Sequence, residues 1–151
     1  MIVFKVESEA NKDAWPSKGY LYSEGRWHRE GMPVIYTAEV SSLAMIETLA
    51  NSTFLPKNQC LMEIEINASV HIHEPDVKTF PKNWDKVPYP EENWDIMEAL
   101  ISEDHQCIKV PSVQAPGEYN YLLIDNIKKS EFTRLFKLIS VIPLPFDVRL
   151  K

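Results

Sequence analysis

The chain has 151 residues, 44% hydrophobic content and a net charge of -6, which fit one globular domain. The acidic balance argues against broad affinity for nucleic acid or for an anionic membrane, because both need clustered positive charge. Cys60 and Cys107 lack metal-ligand spacing and predict reduced thiols in a cytoplasmic protein. The N-terminus does not have the pattern of a signal peptide, and the apolar stretch 138–146 contains two prolines and is too short to span a bilayer.

The first half of the chain alternates between predicted strands and one helix. Three segments have the apolar pattern of strands: 1–6, 33–38 and 61–66. Between the second and third, 41–51 predicts a helix whose N-cap is Ser41 or Ser42. The third strand alternates with period two, which predicts a buried apolar face and a solvent-facing row with Glu63 and Glu65.

The second half begins with 70–75, VHIHEP, predicted to continue the third strand or to pair with it. Four prolines between 75 and 90 predict a long ordered loop. The elements predicted after this loop are a helix at 91–102, strands at 106–112 and 119–125, a short helix at 130–136 capped by Ser130, and a closing strand at 137–143. Short strands and helices without regular βαβ alternation predict a single α+β domain over 1–151.

Several common active-site motifs do not occur in the sequence. It contains no glycine-rich phosphate loop, no dinucleotide-binding fingerprint and no Gly-x-Ser-x-Gly elbow. His71 and His73 lie two apart in a strand-like segment and share one face. A metal site needs at least one more converging ligand, so both are interpreted as ordinary strand histidines and no metal is expected.

Arg26 lies between two of the chain's four glycines, Gly25 and Gly31. Glycine is used where the backbone needs φ > 0 or approaches another group closely. The pattern therefore indicates a loop shaped to hold the guanidinium against a ligand, with a structural ion pair as the alternative. For Trp27 the alternative to a ligand platform is a place in the core.

Glu47 lies on the rim of the apolar stripe that a helical wheel assigns to Leu43, Ile46 and Ala50. A carboxylate beside an apolar face usually has a partner. The alternative is a surface glutamate whose methylenes cover the edge of the core. Ser112 ends a predicted strand, where a capping or turn serine is the default interpretation.

Sequence blocks in a fixed order resemble the RES domain family. They are EGRWHREGMPVIYTAEVSSLAMIETL, FPKNWDKVPYP, IKVPSV, EYNYLL and FDVRL. They match a Gly-Arg-Trp motif, an apolar-Tyr-Thr-Ala strand, a Leu-Ala-x-x-Glu helix, a Val-Pro-Ser strand end and a Glu-x-Asn-Tyr run, between Gly25 and Leu150. The chain departs from the family at Lys5, where an arginine is usual, at Glu24, where a glycine is usual, and at DNIKK, which replaces an Asn-Pro-x-His run.

The resemblance implies an ADP-ribosyltransferase-like fold and a toxin of a type II toxin–antitoxin pair. Family members bind NAD and destroy it by hydrolysis or phosphorolysis, and some modify a protein. The resemblance assigns catalytic roles to Arg26, Tyr36, Glu47 and Ser112. The positions it assigns to NAD binding are Lys5, Arg26, Trp27, Tyr36, Ser112 and Asn120. It also implies a hetero-oligomer with a cognate DNA-binding antitoxin, and inorganic phosphate as one acceptor.

The chemistry of NAD cleavage suits these residues. Breaking the nicotinamide–ribose bond passes through an oxocarbenium-like state, and nicotinamide leaves without being protonated, so one carboxylate, Glu47, is sufficient. Arg26 is expected to bind the pyrophosphate with two N–H groups, aided by Lys5. Tyr36 offers a flat face for nicotinamide, and Ser112 can donate to a phosphate or to the carboxamide.

Three alternatives to NAD degradation stay open at this point. One is ADP-ribosyl transfer to a protein, and another is a catalytically silent binding domain. A third is a toxin that acts on RNA, which the acidic balance disfavours. The loop 80–90 is expected to offer Trp84 and Tyr89 to the antitoxin, unless the loop packs on the core instead.

Overall fold

The computed structural model describes residues 1–150, and its named strands form one seven-stranded sheet. The strands are β1 Ile2–Ser8, β2 Val34–Ala38, β3 Gln59–Ile66, β4 Ile72–His73, β5 Cys107–Pro111, β6 Tyr119–Ile124 and β7 Phe136–Leu144. The α-helices are α1 Ser41–Ala50, α2 Glu91–Ser102 and α3 Lys129–Leu135. The strand order is β4-β5-β6-β2-β1-β3-β7, and only β4 and β5 run parallel. The α+β class predicted from the sequence is confirmed.

The middle of the sheet is its weakest junction. β1 pairs with β3 along its whole length, from Ile2↔Glu65 to Ser8↔Gln59. In contrast, β1 and β2 share the single register pair Phe4↔Ala38. The two halves of the sheet therefore separate beyond this pair, and side chains from both strands border the space between them.

Two large hydrophobic clusters cover opposite faces of the sheet, because alternate residues of β6 belong to one cluster and to the other. Met62 and Ile64 of β3 pack in one cluster with Phe132 of α3. Met97 of α2 packs in the other cluster, against Leu122 of β6. Each of these side chains is fully buried, which is worth about 1.5–3 kcal/mol per residue. The burial of the apolar face of β3 is as predicted.

Both predicted helix caps are wrong. The N-cap of α1 is Val40 and that of α3 is Lys128, and neither side chain accepts a capping hydrogen bond. Ser41, Ser42 and Ser130 all lie within the first turn of their helices. Tertiary packing, rather than a side-chain cap, therefore sets where these helices begin.

The prediction for 70–75 is also wrong. Ile72 and His73 form β4, which pairs with Cys107 and Ile108 of β5 rather than with β3. The β3 edge that this segment was expected to join is occupied by β7, from Gln59↔Leu144 to Ile66↔Phe136. An apolar period of two predicts a strand but does not choose its partner.

Candidate active site

A cavity of about 1090 Å³ lies where β1 and β2 separate, and it also touches α1 and the loops on either side of Arg26. Drug-sized ligands occupy pockets of roughly 300–1,000 Å³, so this cavity can hold a dinucleotide. The predicted site residues that line it are Lys5, Arg26, Trp27, Tyr36, Glu47 and Asn120. Ser112 is 6% exposed and does not line the cavity itself. Its hydroxyl donates a hydrogen bond to Glu47, which does line it.

Glu47 reaches the cavity because α1 is rotated relative to the helical-wheel prediction. Leu43 and Ala44 are buried, whereas Ile46 is 43% exposed and Ala50 is exposed, so the predicted apolar stripe is wrong. The inward side of the helix runs from Leu43 and Ala44 to Glu47, one turn later. A carboxylate thus occupies a position on the inner face, where it borders the cavity instead of solvent.

Ser112 holds the Glu47 carboxylate in place. Its hydroxyl accepts the backbone N–H groups of Gln114 and Ala115, each at 3.1 Å, which is the turn role expected for this serine. The hydroxyl proton is then free to donate to Glu47 Oε1 at 2.9 Å. Ser112 is therefore a positioning residue for the carboxylate.

Opposing effects act on the pKa of Glu47. Burial raises the pKa of the Glu47 carboxyl above its usual value. Hydrogen bonds from Ser112 and Asn120 and the positive charge of Arg26 oppose that rise without cancelling it. Asn120 also donates to the Thr37 carbonyl oxygen at 3.3 Å, which ties its side chain to β2. A half-buried carboxyl group with a raised pKa is typical of functional sites.

Arg26 fastens the loop 80–90 to the rim of the cavity. Its Nη1 donates to the carbonyl oxygens of Trp84 and Lys86, both at 3.0 Å, and its guanidinium carbon lies 5.0 Å from the Tyr89 ring centroid. The ion pair considered as its alternative role is replaced by these carbonyl contacts. Arginine has five N–H donors, so Nε and Nη2 still present one edge that can bind an oxyanion at two points.

Lys5 does not offer an unpaired charge to the cavity. Its Nζ lies 2.8 Å from Glu7 Oε2, and Ser17 donates to the same carboxylate. Although burial would raise the pKa of Glu7, the Lys5 charge and the hydrogen bonds from Lys5, Ser17 and the Ser8 backbone lower it overall. The help that Lys5 was expected to give Arg26 in binding pyrophosphate is therefore weakened by the charge of Glu7.

Trp27 has the core position that the sequence left open. The residue is only 2% exposed, and its ring centroid lies 4.9 Å from that of Phe80 and 5.9 Å from that of Trp84. Its indole therefore packs in the core, while the residue also borders the cavity. Trp84 is half-buried in the same cluster, so this part of the loop packs on the core.

Tyr36 is held by His28, a residue that the sequence patterns did not single out. Tyr36 Oη lies 2.7 Å from His28 Nδ1 and accepts the Trp27 backbone N–H at 3.0 Å. A Cβ on Gly25 would lie 2.7 Å from the tyrosine oxygen and 2.9 Å from the His28 ring, so glycine is required there for close approach. Gly31, in contrast, has φ +93° and is required by its backbone conformation.

The remaining histidines lie away from the cavity. His73 stacks on His105 with ring centroids 4.1 Å apart, and the centroids of His71 and His73 are 6.5 Å apart. Within residues 1–150, no group of three or more His, Cys, Asp or Glu side chains is arranged to hold a metal ion. No helix in the same range is long and apolar enough to cross a membrane.

The fold resembles that of a chain in a solved toxin–antitoxin complex. A chain in the crystal structure of the M. tuberculosis MbcT–MbcA toxin–antitoxin complex superposes with a TM-score of 0.68 over 95% of this chain and 83% of that chain. At 14% identity this similarity shows the fold alone. The RES domain model matches residues 2–147, and the chain therefore belongs to the RES domain family, as the sequence blocks predicted.

Curated relatives extend over most of the chain. Toxin Res of Yersinia enterocolitica is 34% identical over 142 residues, which are 91% of this chain and 90% of that protein. Toxin Res of Photorhabdus laumondii is 28% identical over 155 residues, 99% of this chain and 97% of that protein. The Prs ADP-ribosylating toxin of a Sphingobium species is 33% identical over 112 residues, 70% of this chain and 68% of that protein.

Proposed function

We propose that the protein is the toxin of a toxin–antitoxin pair and that it cleaves the nicotinamide–ribose bond of NAD. The observation that carries this proposal is the Glu47 carboxylate, fixed by Ser112 and Asn120 inside a cavity of about 1090 Å³. The names of the relatives support it, since two are called Toxin Res and one is called an ADP-ribosylating toxin.

Glu47 supplies the charge that the reaction needs. As the nicotinamide bond lengthens, positive charge develops on the ribose, and a preorganised carboxylate stabilises it. Nicotinamide carries away the bonding electron pair and becomes neutral, so no general acid is required. Ser112 donates to Oε1, and a carboxylate has about four lone-pair sites, so acceptor capacity remains for the ribose hydroxyls or for the attacking nucleophile.

Arg26 fits the pyrophosphate of NAD through the edge formed by Nε and Nη2. The other edge is already fixed to the loop carbonyls, so the guanidinium is preorganised and loses little entropy on binding. Tyr36 borders the same cavity on β2 and is assigned to the nicotinamide-ribose end. Lys5 borders the cavity as one member of a neutral pair with Glu7.

ADP-ribosyl transfer to a protein is a second candidate. Tyr22 is 81% exposed and Val87 is 76% exposed, and both border the cavity. Apolar side chains exposed at the mouth of a site suit contact with a protein surface. Water, inorganic phosphate and a protein side chain are all chemically able to take the ribosyl carbon in such a site.

The same cavity mouth suits a cognate antitoxin, the DNA-binding partner implied by the family. A carboxylate of the antitoxin would meet the open edge of Arg26, where a phosphate oxygen of NAD would otherwise bind. Val87 and Tyr22 are better anchors than Trp84, because Trp84 is already packed in the core. Such a complex would keep the toxin inactive in the cytoplasm of its host.

Expression in cells tests this function. We expect expression of the protein alone to lower cellular NAD and to arrest growth, and Glu47→Gln to relieve both effects. Glu65→Gln is the matched control, because Glu65 is exposed on β3 and does not line the cavity. Co-expression of the cognate antitoxin should protect cells that carry the active form. Growth arrest in Glu47→Gln with normal NAD would refute the proposal and favour an RNA-directed or binding function.

A further inference from the structure

The loop 23–28 and β2 together fix the position of one proton. His28 is 4% exposed, and its Nε2 lies 2.9 Å from the Ser23 carbonyl oxygen, while its Nδ1 lies 2.7 Å from Tyr36 Oη. A carbonyl oxygen can only accept a hydrogen bond, so Nε2 must carry a proton. In a neutral imidazole Nδ1 is then bare and accepts, which makes the tyrosine hydroxyl the donor.

The surroundings keep His28 neutral. Burial lowers the pKa of His28 below its usual value, although the hydrogen bond to the Ser23 carbonyl and the charge of Glu24 oppose this. Burial also raises the pKa of Tyr36, so the phenol keeps its proton at neutral pH. The other groups whose charge acts on the tyrosine are Arg26, Glu47 and Tyr89.

We propose that His28 is a positioning residue that draws the Tyr36 hydroxyl proton away from the cavity, so that Tyr36 meets the ligand as a hydrogen-bond acceptor. The Trp27 N–H fills one acceptor position of the oxygen and the bond to His28 uses its proton. The acceptor capacity that is left suits an O–H or N–H group of the ligand. This inference rests on NAD as the ligand proposed above.

The acceptor role orients NAD in the cavity. A phosphate or a ribose ring oxygen would meet a lone pair of Tyr36 and be repelled. A ribose hydroxyl or the carboxamide N–H of nicotinamide would instead be bound. The pyrophosphate therefore belongs at Arg26, and the nicotinamide riboside belongs at Tyr36 and Glu47.

Two neutral substitutions separate this role from simple packing. His28→Asn can place an amide oxygen where Nδ1 lies and still accept from Tyr36. His28→Gln can place an amide N–H where Nε2 lies, which keeps the Ser23 contact but loses the tyrosine acceptor. In a Glu47→Gln background, where NAD is consumed at least about 100-fold more slowly, we expect His28→Gln to weaken NAD binding about tenfold by calorimetry. On a logarithmic scale, His28→Asn should weaken NAD binding by less than half as much as His28→Gln does. This should hold even if the asparagine variant melts at a lower temperature than the glutamine variant.

An NAD analogue with an acetyl group in place of the carboxamide identifies the donor. If the carboxamide N–H binds Tyr36, the loss caused by His28→Gln disappears with the analogue. If a ribose hydroxyl binds there, the loss persists. Either result supports the acceptor role, whereas equal affinities for NAD in both His28 variants and the parent would overturn it.

The imidazole tautomer gives a readout that does not depend on NAD turnover. Nitrogen-15 NMR of the ligand-free protein at pH 7 should show His28 protonated at Nε2 and bare at Nδ1. Protonation at Nδ1 would overturn the inference. The wild-type protein could instead show the expected tautomer but neither bind nor consume NAD. That result would refute the proposed function and NAD as the ligand. The direction of the hydrogen bond from Tyr36 to His28 would still stand.

Discussion

Replacing Glu47 by glutamine removes one charge from the cavity while keeping its main hydrogen bond. The Ser112 hydroxyl, which donates to Oε1 at 2.9 Å, can donate equally to a glutamine oxygen. A carboxylate about 4 Å from the developing ribosyl charge contributes about 4 kcal/mol at an effective dielectric constant of about 20. Because Glu47 is half-buried and partly screened, we expect a loss of about 10²–10³-fold in NAD turnover.

The same variant should be more stable than the parent at neutral pH. The pKa of Glu47 is raised in the folded state, which means that the carboxyl ionises less readily there than in the unfolded chain. At pH 7 the ionised carboxylate therefore lowers the free energy of unfolding. Glutamine removes that cost, and its advantage should shrink as the pH falls through the raised pKa of the folded state towards the ordinary value of 4.5, below which the parent carboxyl becomes neutral in both states. Melting curves at pH 7 and pH 4 with Glu65→Gln as control measure this difference. Turnover within a few-fold of the parent in a folded variant would refute the role of Glu47.

Three further substitutions test the architecture of the site. Arg26→Lys should weaken NAD binding by about 1.5–3 kcal/mol and loosen the loop that Nη1 of Arg26 holds. Arg29 forms an ion pair outside the cavity, so Arg29→Lys should leave the NAD affinity measured by calorimetry unchanged. Ser112→Ala should cost about 1–3 kcal/mol in chemical denaturation, because the turn and Glu47 Oε1 both lose a partner, and should lower turnover about tenfold. Gly25→Ala should lower the stability by about 1–3 kcal/mol and abolish most NAD turnover, while Gly19→Ala, with no atom within 4 Å of the added methyl, should melt like the parent. Equal behaviour within any of these comparisons would contradict the contact it tests.

Much of the cavity wall could be predicted from local patterns. The apolar pattern of 33–38 predicted β2 and period-two alternation predicted β3, and the ordered motif blocks placed Arg26, Tyr36 and Glu47 where the structure brings them to one cavity. These positions depend on elements whose hydrophobic pattern is strong. The residue roles at the site remain predictions until the variants are measured.

The orientation of α1 and the role of His28 could not be predicted from the sequence, because both depend on long-range contacts. A helical wheel does not distinguish a side chain facing the core from one facing a cavity, so the stripe through Ile46 was misplaced. His28 was missed because its partner comes from β2 across a glycine loop. The Lys5–Glu7 pair had a visible signal, since residues two apart on a strand share one face.

Incubation of the purified protein with NAD, with and without inorganic phosphate, tests the central claim most directly. Mass spectrometry should detect free nicotinamide in the parent, together with ADP-ribose or with its phosphorylated form when phosphate is the acceptor. The Glu47→Gln protein should release nicotinamide at least about 100-fold more slowly. Intact NAD after prolonged incubation of a folded parent that binds it, with no nicotinamide released under either condition, would contradict the account.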